Sequence, residues 1–279
     1  MKIGIIGLGL IGGSLCKAYK IDKHTVLGYD INTDILEYAC LSGSLDGKLT
    51  KENIKVCDLV LIAIMPRAAI SFLNEYAPYF GKDQLIIDCC GTKQTVCKAG
   101  FELAEKHGFL FMGGHPMAGT QYSGFKNSKA DLFKGATMAL VPPVMDDINI
   151  TERAKNALLP AGFGHFSIWT AEKHDKIIAF TSQLAHVVSN AYMKSPSART
   201  HTGLSAGSYK DLTRVAKLNA PMWTELFSEN RENMLFELET IINELQKYKE
   251  ALENNDEVTL SALLKKGSDI KQEVDGIDG

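Results

Sequence analysis

One histidine of this chain stands in a setting that suits proton transfer. His115 lies in Gly113–Phe125, with the letters GGHPMAGTQYSGF, directly after the apolar run Phe109–Met112. The apolar run predicts a short buried strand, and the glycines and proline beside His115 predict a loop at its end. Ligands bind at this edge of an open α/β sheet, and an imidazole exchanges protons near neutral pH. The segment therefore predicts a general base, with a turn histidine that bonds only its own loop as the alternative.

A glycine-rich loop lies near the start of the chain. The letters GLGLIG come at the end of the predicted strand Lys2–Gly7 and lead into the predicted helix Leu10–Tyr19. Glycines at this spacing allow a tight turn, a close approach of a pyrophosphate, and close packing of helix on strand, while N–H groups at the helix start hold the phosphates. Because methyltransferases can show similar glycines, the loop alone leaves S-adenosylmethionine open. The residues predicted to bind the cofactor here are Gly7, Gly9, Leu10, Ile11 and Gly12.

The ends of the second and third predicted strands carry residues that are predicted to bind the same cofactor. Asp30 ends the second predicted strand, where a carboxylate accepts hydrogen bonds from ribose hydroxyls and repels a 2′-phosphate, which favours NAD over NADP. The alternative is that Asp30 only caps the next helix. Pro66 and Arg67 follow the third predicted strand, in a loop that would lie over a dinucleotide. Arg67 is predicted either to touch a phosphate or to be a solvated arginine at a helix start.

The composition argues against several classes of protein. The 279 residues carry 30 Lys plus Arg against 33 Asp plus Glu, a net charge of −3, so we expect no nucleic-acid partner. The apolar runs are far shorter than a membrane span, so we expect no membrane partner. The six cysteines form no C-x-x-C pair and no zinc pattern with histidine. We therefore expect reduced thiols, no metal site and a cytoplasmic protein.

The first part of the chain alternates apolar runs with amphipathic segments. This alternation is typical of βαβ units and predicts an α/β fold with a doubly wound parallel sheet. The predicted strands are Lys2–Gly7, Thr25–Asp30, Asp58–Ile64, Gln84–Asp88, Phe109–Gly113 and Ala136–Val141, with a further apolar run at Gly164–Ile168. The predicted helices are Leu10–Tyr19, Asp34–Leu41, Ala68–Tyr76, Val96–His107 and Asn149–Leu158.

After about Thr170 the chain changes to long helical periodicity. His186 shares one predicted helix face with polar residues that include no lysine or glutamate, so this face is predicted to line a cleft. The alternative is that it simply faces solvent, as the polar face of a helix usually does. The opposite, buried stripe is predicted to consist of Ile177, Thr181, Leu184, Val188 and Ala191. A later seam predicts a dimer contact, with packing inside its own domain as the alternative. This seam consists of Met234, Leu238, Ile241, Leu245, Tyr248 and Leu252.

A cationic group lies between these two helical regions. Arg214 follows Lys210 by four residues and Asp211 by three, which places all of them on one face of a predicted helix. A surface ion pair is one interpretation. A guanidinium that clamps the carboxylate of a substrate is the other.

Four segments resemble the prephenate/arogenate dehydrogenase family, the cyclohexadienyl dehydrogenases of tyrosine biosynthesis. The segments are GLGLIGGS, GGHPMAGT with a following SG, SQLAH and YKDLTRVA, in the family's order and over nearly the whole chain. The histidine loop and the KDLTR segment are the specific parts. The resemblance implies an N-terminal Rossmann domain over residues 1–170 and a helical substrate-binding and dimerisation domain over residues 171–279.

The resemblance also implies roles for single residues. His115 would bond the ring hydroxyl of prephenate and drive its oxidation by NAD. His186 and Arg214 would bind the substrate, with Trp223 in a supporting role. The full set expected to contact the substrate is His186, Arg214, Thr92, Gln183, Lys210 and Thr120.

Three positions depart from the family pattern. Gly91 stands where the family often has a serine, and Thr92 is expected to supply that hydroxyl from the next position. Gln121 replaces the usual glutamate, and Gln183 replaces a histidine that is often found. The departures concern the choice of substrate, and the loss of the acid at Gln121 favours prephenate over arogenate.

Two other functions fit parts of the sequence. A 3-hydroxyacid dehydrogenase has a similar arrangement of domains, but it uses a lysine in a G-x-x-G-x-x-x-K pattern that this chain lacks. A non-catalytic NAD-binding sensor would need none of His115, His186 and Arg214. We therefore expect NAD-dependent oxidation of prephenate by a cytoplasmic homodimer, with arogenate as the alternative substrate.

Overall fold

The computed structural model describes residues 1–120, 122–201 and 203–277, and the chain forms two compact units, Met1–Asn230 and Arg231–Gly279. The strands of the described residues, all in the first unit, are β1 (Lys2–Ile6), β2 (Thr25–Tyr29), β3 (Gly47–Lys48), β4 (Leu59–Ile62), β5 (Leu85–Asp88), β6 (Leu110–Pro116), β7 (Thr137–Val141) and β8 (His165–Ile168). No helix of these residues is long and apolar enough to cross a bilayer.

The strands form one sheet in the order β3-β2-β1-β4-β5-β6-β7-β8. From β3 to β6 every neighbouring pair is parallel, which confirms the predicted α/β sheet. β7 runs antiparallel to β6, and β8 runs parallel to β7. The order reverses direction between β1 and β4, the switch point at which open sheets of this kind bind ligands.

The helices of the first unit fill the connections that the sequence predicts, with ends that differ by a few residues. They are α1 (Leu10–Ile21), α2 (Thr33–Leu41), α3 (Pro66–Tyr76), α4 (Gln94–His107), α5 (Ile148–Leu158), α6 (Ala171–Ile178), α7 (Ala185–Tyr192), α8 (Gly207–Thr213) and α9 (Ala220–Glu229). α4 ends at Gly108, whose φ of 84° is the left-handed conformation that favours glycine at a helix end.

The core lies on both faces of the sheet because successive strand residues point to opposite sides. Ile5 of β1 belongs to the cluster that packs under α1 and α5, and the adjacent Ile6 belongs to the cluster under α3 and α4. All six cysteines are free thiols, as predicted, and Cys16, Cys57 and Cys90 are among the buried ones.

A π-helical turn, Ala179–Leu184, joins α6 to α7. The extra residue in this turn changes which side chains face inward. Ile177 is 44% exposed, whereas Gln183 and Ser189 are buried. The predicted apolar stripe through Ile177 and Thr181 is therefore wrong, and much of the buried side of this segment is polar.

The second unit consists of two long helices, α10 (Arg231–Glu253) and α11 (Glu257–Ile277). Within this unit the Tyr248 hydroxyl donates a hydrogen bond to the carbonyl of Leu263, 3.3 Å away. Several large apolar side chains of the two helices are exposed, namely Leu235, Phe236, Ile242, Leu245, Leu252, Val258, Leu264, Ile270 and Val274.

Candidate active site

His115 lies on a strand and not on the loop that the sequence predicts. β6 continues through the glycine pair, since β7 pairs with it and places Ala139 opposite His115. A Cβ on Gly114 would lie 2.4 Å from the carbonyl oxygen of Asp88, so glycine is required where β5 and β6 meet. Glycines beside a proline predict a turn, but here they serve this close approach.

A chain of hydrogen bonds holds the His115 ring from one side. Its Nδ1 lies 3.0 Å from Nε2 of His174, and Nδ1 of His174 lies 2.8 Å from Oδ1 of Asp175. The same carboxylate accepts hydrogen bonds from the backbone N–H groups of Lys93 and Gln94, at 2.7 Å and 2.9 Å. Asp175 is therefore an acceptor at both oxygens, and its position at the start of α6 is determined by the start of α4.

The chain of hydrogen bonds determines which nitrogen of His115 is basic. An ionised carboxylate only accepts, so His174 donates from Nδ1 to Asp175 and its neutral ring accepts at Nε2. His115 must then donate from Nδ1, which leaves the lone pair of a neutral ring on Nε2. The geometry therefore supplies a base at Nε2 of His115.

A buried ion pair lies beside the same strand. The Lys93 ammonium pairs with the Asp88 carboxylate at the end of β5, and both side chains are 0% exposed. Lys93 Nζ also donates to the carbonyl of Gly114 at 2.6 Å, and Asp88 Oδ1 accepts from the Gly114 N–H at 3.2 Å. The backbone that precedes His115 is thus held at both its donor and its acceptor.

These surroundings favour the neutral form of both histidines. Burial, the neighbouring His174 and the charge of Lys93 hold the pKa of His115 well below its usual value. Burial also lowers the pKa of His174, although its hydrogen bond to Asp175 acts in the opposite direction. His115 is therefore ready to accept a proton at neutral pH.

Position 91 lies on the open side of the His115 ring. A Cβ on Gly91 would lie 3.8 Å from His115 Nε2 and 3.5 Å from a methyl carbon of Leu226 on α9. The next residue, Thr92, is 1% exposed, and its hydroxyl has no hydrogen-bond partner among the described residues. Position 91, which lacks a hydroxyl, is thus the one whose side chain would face the base.

The glycine loop has the geometry that the sequence predicts for a nucleotide site. Gly7 has a φ of 85°, and a Cβ on Gly12 would lie 1.8 Å from the Gly7 carbonyl oxygen, so both positions require glycine. A Cβ on Gly9 would meet no atom within 4 Å, which leaves open space over the first turn of α1. Leu10 and Ile11 begin that turn, and Gly9 offers no side chain to cap their N–H groups. These residues fit a pyrophosphate.

Asp30 is held in place for contacts with a ribose. Its Oδ2 accepts from the Leu8 N–H at 2.7 Å, and its Oδ1 accepts from the Asn32 N–H at 2.8 Å. Each oxygen keeps a further lone pair for a hydroxyl. The alternative that Asp30 caps α2 is wrong, because the Asn32 side chain accepts from the first N–H groups of that helix.

Pro66 and Arg67 begin α3, after β4. The Arg67 N–H donates to Glu225 at 2.9 Å, and its Nε lies 3.2 Å from Glu229, so α9 supplies acids to this helix start. Neither interpretation of Arg67 from the sequence included these contacts. The Arg67 side chain is 66% exposed, so this ion pair contributes little to stability.

His186 lies in a second group of polar residues on α7. Its Nδ1 donates to the carbonyl of Val215 at 3.0 Å, and its ring packs on Trp223 with centroids 4.0 Å apart. Burial lowers the pKa of His186, the hydrogen bond to Val215 opposes this, and the charge of Arg214 lowers the pKa further. The predicted polar face is therefore covered by the segment that carries α8 and α9, and Arg214 lies close enough to His186 to affect its charge.

The remaining predicted substrate residues differ in their surroundings. Arg214 and Lys210 are exposed, whereas Gln183 is buried and bonds Asn230 at 2.8 Å and the Leu226 carbonyl at 3.3 Å. The Thr120 hydroxyl closes a local turn with Tyr122. Gln121 lies outside the described residues.

Comparison with known sequences decides the family. Residues 15–164 match the family model described as the prephenate dehydrogenase nucleotide-binding domain, and residues 170–266 match the prephenate dehydrogenase dimerization domain. The chain belongs to the prephenate dehydrogenase family. It is an NAD-dependent oxidoreductase of that family, and the predicted family resemblance is confirmed.

Named relatives agree with this family over most of their length. The prephenate dehydrogenase of Bacillus subtilis (strain 168) is 28% identical over 281 residues, which cover 96% of this chain and 74% of that protein. The cyclohexadienyl dehydrogenase of Zymomonas mobilis is 29% identical and covers 91% of this chain and 89% of its own. A structure of the Aquifex aeolicus prephenate dehydrogenase, 26% identical, matches with a TM-score of 0.83 over 97% of this chain and 99% of its own. The Synechocystis arogenate dehydrogenase shares the fold, with a TM-score of 0.81. It is 23% identical, and the match covers 98% of this chain and all of its own.

Sequence reasoning missed the residues that surround the base of this family member. Asp88 and Lys93 are the two ends of the segment in which Gly91 replaces the family's serine, but sequence reasoning assigned them no role. His174 and Asp175 carry no motif, and all four residues meet His115 only through the fold. The available signal was the adjacent pair His174 and Asp175 at the start of a helix after the last strand. No group of three or more His, Cys, Asp or Glu side chains among residues 1–120, 122–201 and 203–277 is placed to hold a metal ion.

Proposed function

We propose that this chain oxidises prephenate with NAD, releasing carbon dioxide and 4-hydroxyphenylpyruvate for tyrosine biosynthesis. One observation carries the proposal most strongly: the hydrogen-bond chain from Asp175 through His174 leaves the lone pair of His115 on Nε2. A neutral histidine at the same edge of the sheet as a dinucleotide loop suits oxidation of an alcohol, in which one proton and one hydride leave the substrate. The relatives named prephenate dehydrogenase support this substrate.

His115 accepts the proton of the reaction and later returns it. Its Nε2 accepts the proton of the 4-hydroxyl as the C4–H bond breaks, and the C4–O bond becomes a carbonyl. NAD, when bound, supplies the nicotinamide carbon that accepts the hydride. The bond between the ring and its carboxylate then breaks, carbon dioxide leaves, and its electron pair makes the ring aromatic. The phenolate oxygen takes the proton back from His115, so the protons balance.

The gain in aromaticity drives this reaction, so the protein has mainly to orient the substrate. We assign a carboxylate of prephenate to Arg214, with Lys210 adding positive charge nearby. Because Nδ1 of His186 donates to the Val215 carbonyl and its pKa is lowered, we assign His186 to the substrate as an acceptor at Nε2. Thr120 is proposed as a hydroxyl contact, and the buried Thr92 is proposed to act on the substrate only through the neighbouring position 91. Gln183 is buried and bonds the carbonyl of Leu226, which supports an action on the substrate only through α9.

The nucleotide loop is proposed to bind NAD in preference to NADP. The pyrophosphate would lie over the N-terminus of α1, against Gly7, Gly9, Leu10, Ile11 and Gly12. Asp30 would accept hydrogen bonds from the ribose hydroxyls and repel a 2′-phosphate. Pro66 and Arg67 would border the cofactor at the start of α3.

The proposed assembly is a cytoplasmic homodimer that associates through the C-terminal helices. The exposed apolar side chains of α10 and α11 support this, because a lone pair of helices does not normally leave so many of them in water. The six free cysteines support a reducing compartment. We propose that the residues before 170 bind the cofactor and that those after it bind the substrate and form the dimer contact. The last strand, β8, ends just before this position, and the segment from α6 onward contains helices but no strand among the described residues.

The experiment that tests the proposal is the initial rate of NADH or NADPH formation by the purified protein, with prephenate or arogenate crossed against NAD or NADP. We expect rapid turnover with prephenate and NAD. A preference for arogenate would keep the mechanism and change the substrate. No turnover in any combination, with NAD still bound, would mean that the chain is a cofactor-binding sensor.

A further inference from the structure

A lysine that has no access to solvent lies next to the backbone of the base. The Lys93 side chain is 0% exposed, pairs with the equally buried Asp88, and donates to the Gly114 carbonyl oxygen at 2.6 Å. Gly114 is bonded directly to His115. The position of the His115 Cα therefore depends on where the ammonium of Lys93 lies.

The backbone of the same lysine holds the other end of the His115 ring. The Lys93 N–H donates to Asp175 at 2.7 Å, Asp175 holds His174, and His174 accepts from His115 Nδ1. Lys93 thus contacts both sides of His115. Its side chain bonds Gly114, the residue before the base, and its backbone N–H bonds Asp175, the last residue of the hydrogen-bond chain.

Stability by itself is a weak explanation for this buried charge. Replacing a buried ion pair by neutral side chains of similar volume often leaves a protein as stable as before, or more stable. Lysine at this position does supply two things that an apolar residue cannot: a donor for the Gly114 carbonyl and a positive charge close to His115.

The charged groups around the two residues all favour the same protonation states. Burial alone lowers the pKa of Lys93, but the charge of Asp88 more than offsets it, and the net pKa is raised, with Cys90 and Cys97 also facing the ammonium. His174 and Lys93 are the titratable groups that face His115, and both lower its pKa together with burial. Lys93 therefore stays charged while His115 stays neutral.

We propose that Lys93 is a positioning residue for the reaction: its ammonium holds the backbone before His115 through the Gly114 carbonyl and places a positive charge close to the ring. This inference rests on the proposed function for its rate measurement only. Lys93 itself touches neither substrate nor cofactor, since its side chain is fully buried.

The test uses the full-length protein with neutral replacements. The double variant Asp88→Asn/Lys93→Met replaces the ion pair by groups of similar shape, and Lys93→Met alone removes only the ammonium. The matched control is Lys98→Met, which removes an exposed lysine from α4, the helix that follows Lys93. Each protein is assayed for kcat and for both KM values over a range of pH, and the titration of the His115 ring is followed by NMR, with His115→Asn to assign the signal.

We expect kcat of both Lys93 variants to fall about 10- to 100-fold, because a small displacement of the base is costly. The KM for prephenate and the KM for NAD should each change by less than about threefold, because neither substitution removes a contact with the substrate or the cofactor. In Lys93→Met the acid limb of kcat/KM and the NMR titration of His115 should move to higher pH, because a neighbouring positive charge is gone. In the double variant this shift should be smaller, because the negative charge of Asp88 is removed as well. Lys98→Met should behave like the unaltered protein.

The outcomes separate cleanly. Unchanged kcat in a folded double variant, or an unchanged His115 titration in folded Lys93→Met, overturns the proposal. If neither Lys93 variant folds while Lys98→Met does, Lys93 is a folding residue and the proposal is also overturned. If the unaltered protein fails to oxidise prephenate, the proposed function fails, and the NMR titration, which needs no substrate, still decides whether Lys93 sets the charge state of His115.

Discussion

His115 and His174 share one hydrogen bond, with Nδ1 of the first 3.0 Å from Nε2 of the second, and their rings meet edge to face with centroids 5.1 Å apart. The contact joins the end of β6 to the start of α6. Since His174 is itself held by Asp175, the first ring can neither turn nor change tautomer without breaking this chain of bonds. The orientation of the base is thus determined before any substrate is bound.

Replacing His115 should greatly lower turnover and leave NAD binding unchanged. We expect His115→Asn to lower kcat roughly 10²- to 10⁴-fold, the usual contribution of a general base. NAD affinity, measured by fluorescence titration, should be unchanged, because the glycine loop is untouched. Turnover near that of the unaltered protein would show that another group takes the proton.

The pH dependence of the reaction should reflect the lowered pKa of His115. Burial first, then His174 and Lys93, hold this pKa well below the usual value for histidine. The base acts only when neutral, so kcat/KM should be constant above about pH 6.5 and should fall only as the pH drops through the lowered pKa. The measurement is the pH profile of kcat/KM for prephenate. An acid limb at or above pH 6.5 would contradict the predicted surroundings of the ring.

Removing the partner of the base should cost less than removing the base. We expect His174→Leu to lower kcat about 10- to 100-fold, because the His115 ring loses the acceptor that fixes its tautomer and orientation. The control is His165→Leu, which replaces an exposed histidine on β8. The prediction is wrong if the two variants have the same kcat.

A hydroxyl at position 91 should assist the base. The Cβ of Gly91→Ser would lie 3.8 Å from His115 Nε2 and in ordinary contact with Leu226, so the side chain fits. One added hydrogen bond is worth about 0.5–1.5 kcal/mol, so we expect kcat/KM to rise about two- to tenfold. Gly91→Ala adds the same Cβ without the hydroxyl and should leave kcat/KM unchanged. An equal rise in both variants would point to packing and not to the hydroxyl.

Loss of the proposed carboxylate clamp should appear in substrate binding. We expect Arg214→Ala to raise the KM for prephenate roughly 10- to 100-fold, the value of a charge-assisted hydrogen bond, with a much smaller change in kcat. Arg199→Ala, which removes another exposed arginine of the first unit, is the control. An unchanged KM would place the clamp elsewhere.

The local parts of this protein could be predicted because their signals are short. The strand Lys2–Ile6, the glycine turn after it and the helix from Leu10 are encoded within about twenty consecutive residues, by a continuous apolar run and by positions at which only glycine fits. His115 could also be singled out as a residue with a special backbone setting, although its assignment to a loop was wrong. β7 extends β6 beyond the glycine pair, and no local pattern contains that pairing.

The surroundings of the base were decided by the tertiary structure alone. His115 and His174 are 59 positions apart, and Asp175 lies 82 positions from Lys93, so contacts between them appear only when the sheet brings β5, β6 and the start of α6 together. The π-helical turn likewise changed which side chains of the α6–α7 segment are buried, because one extra residue in a turn rotates the side chains after it relative to those before it. The sequence by itself determined the glycine turn and singled out His115, the proposed base. Its protonation state was decided by the fold, because a pKa depends on burial and on charges that are near in space, wherever they lie along the chain.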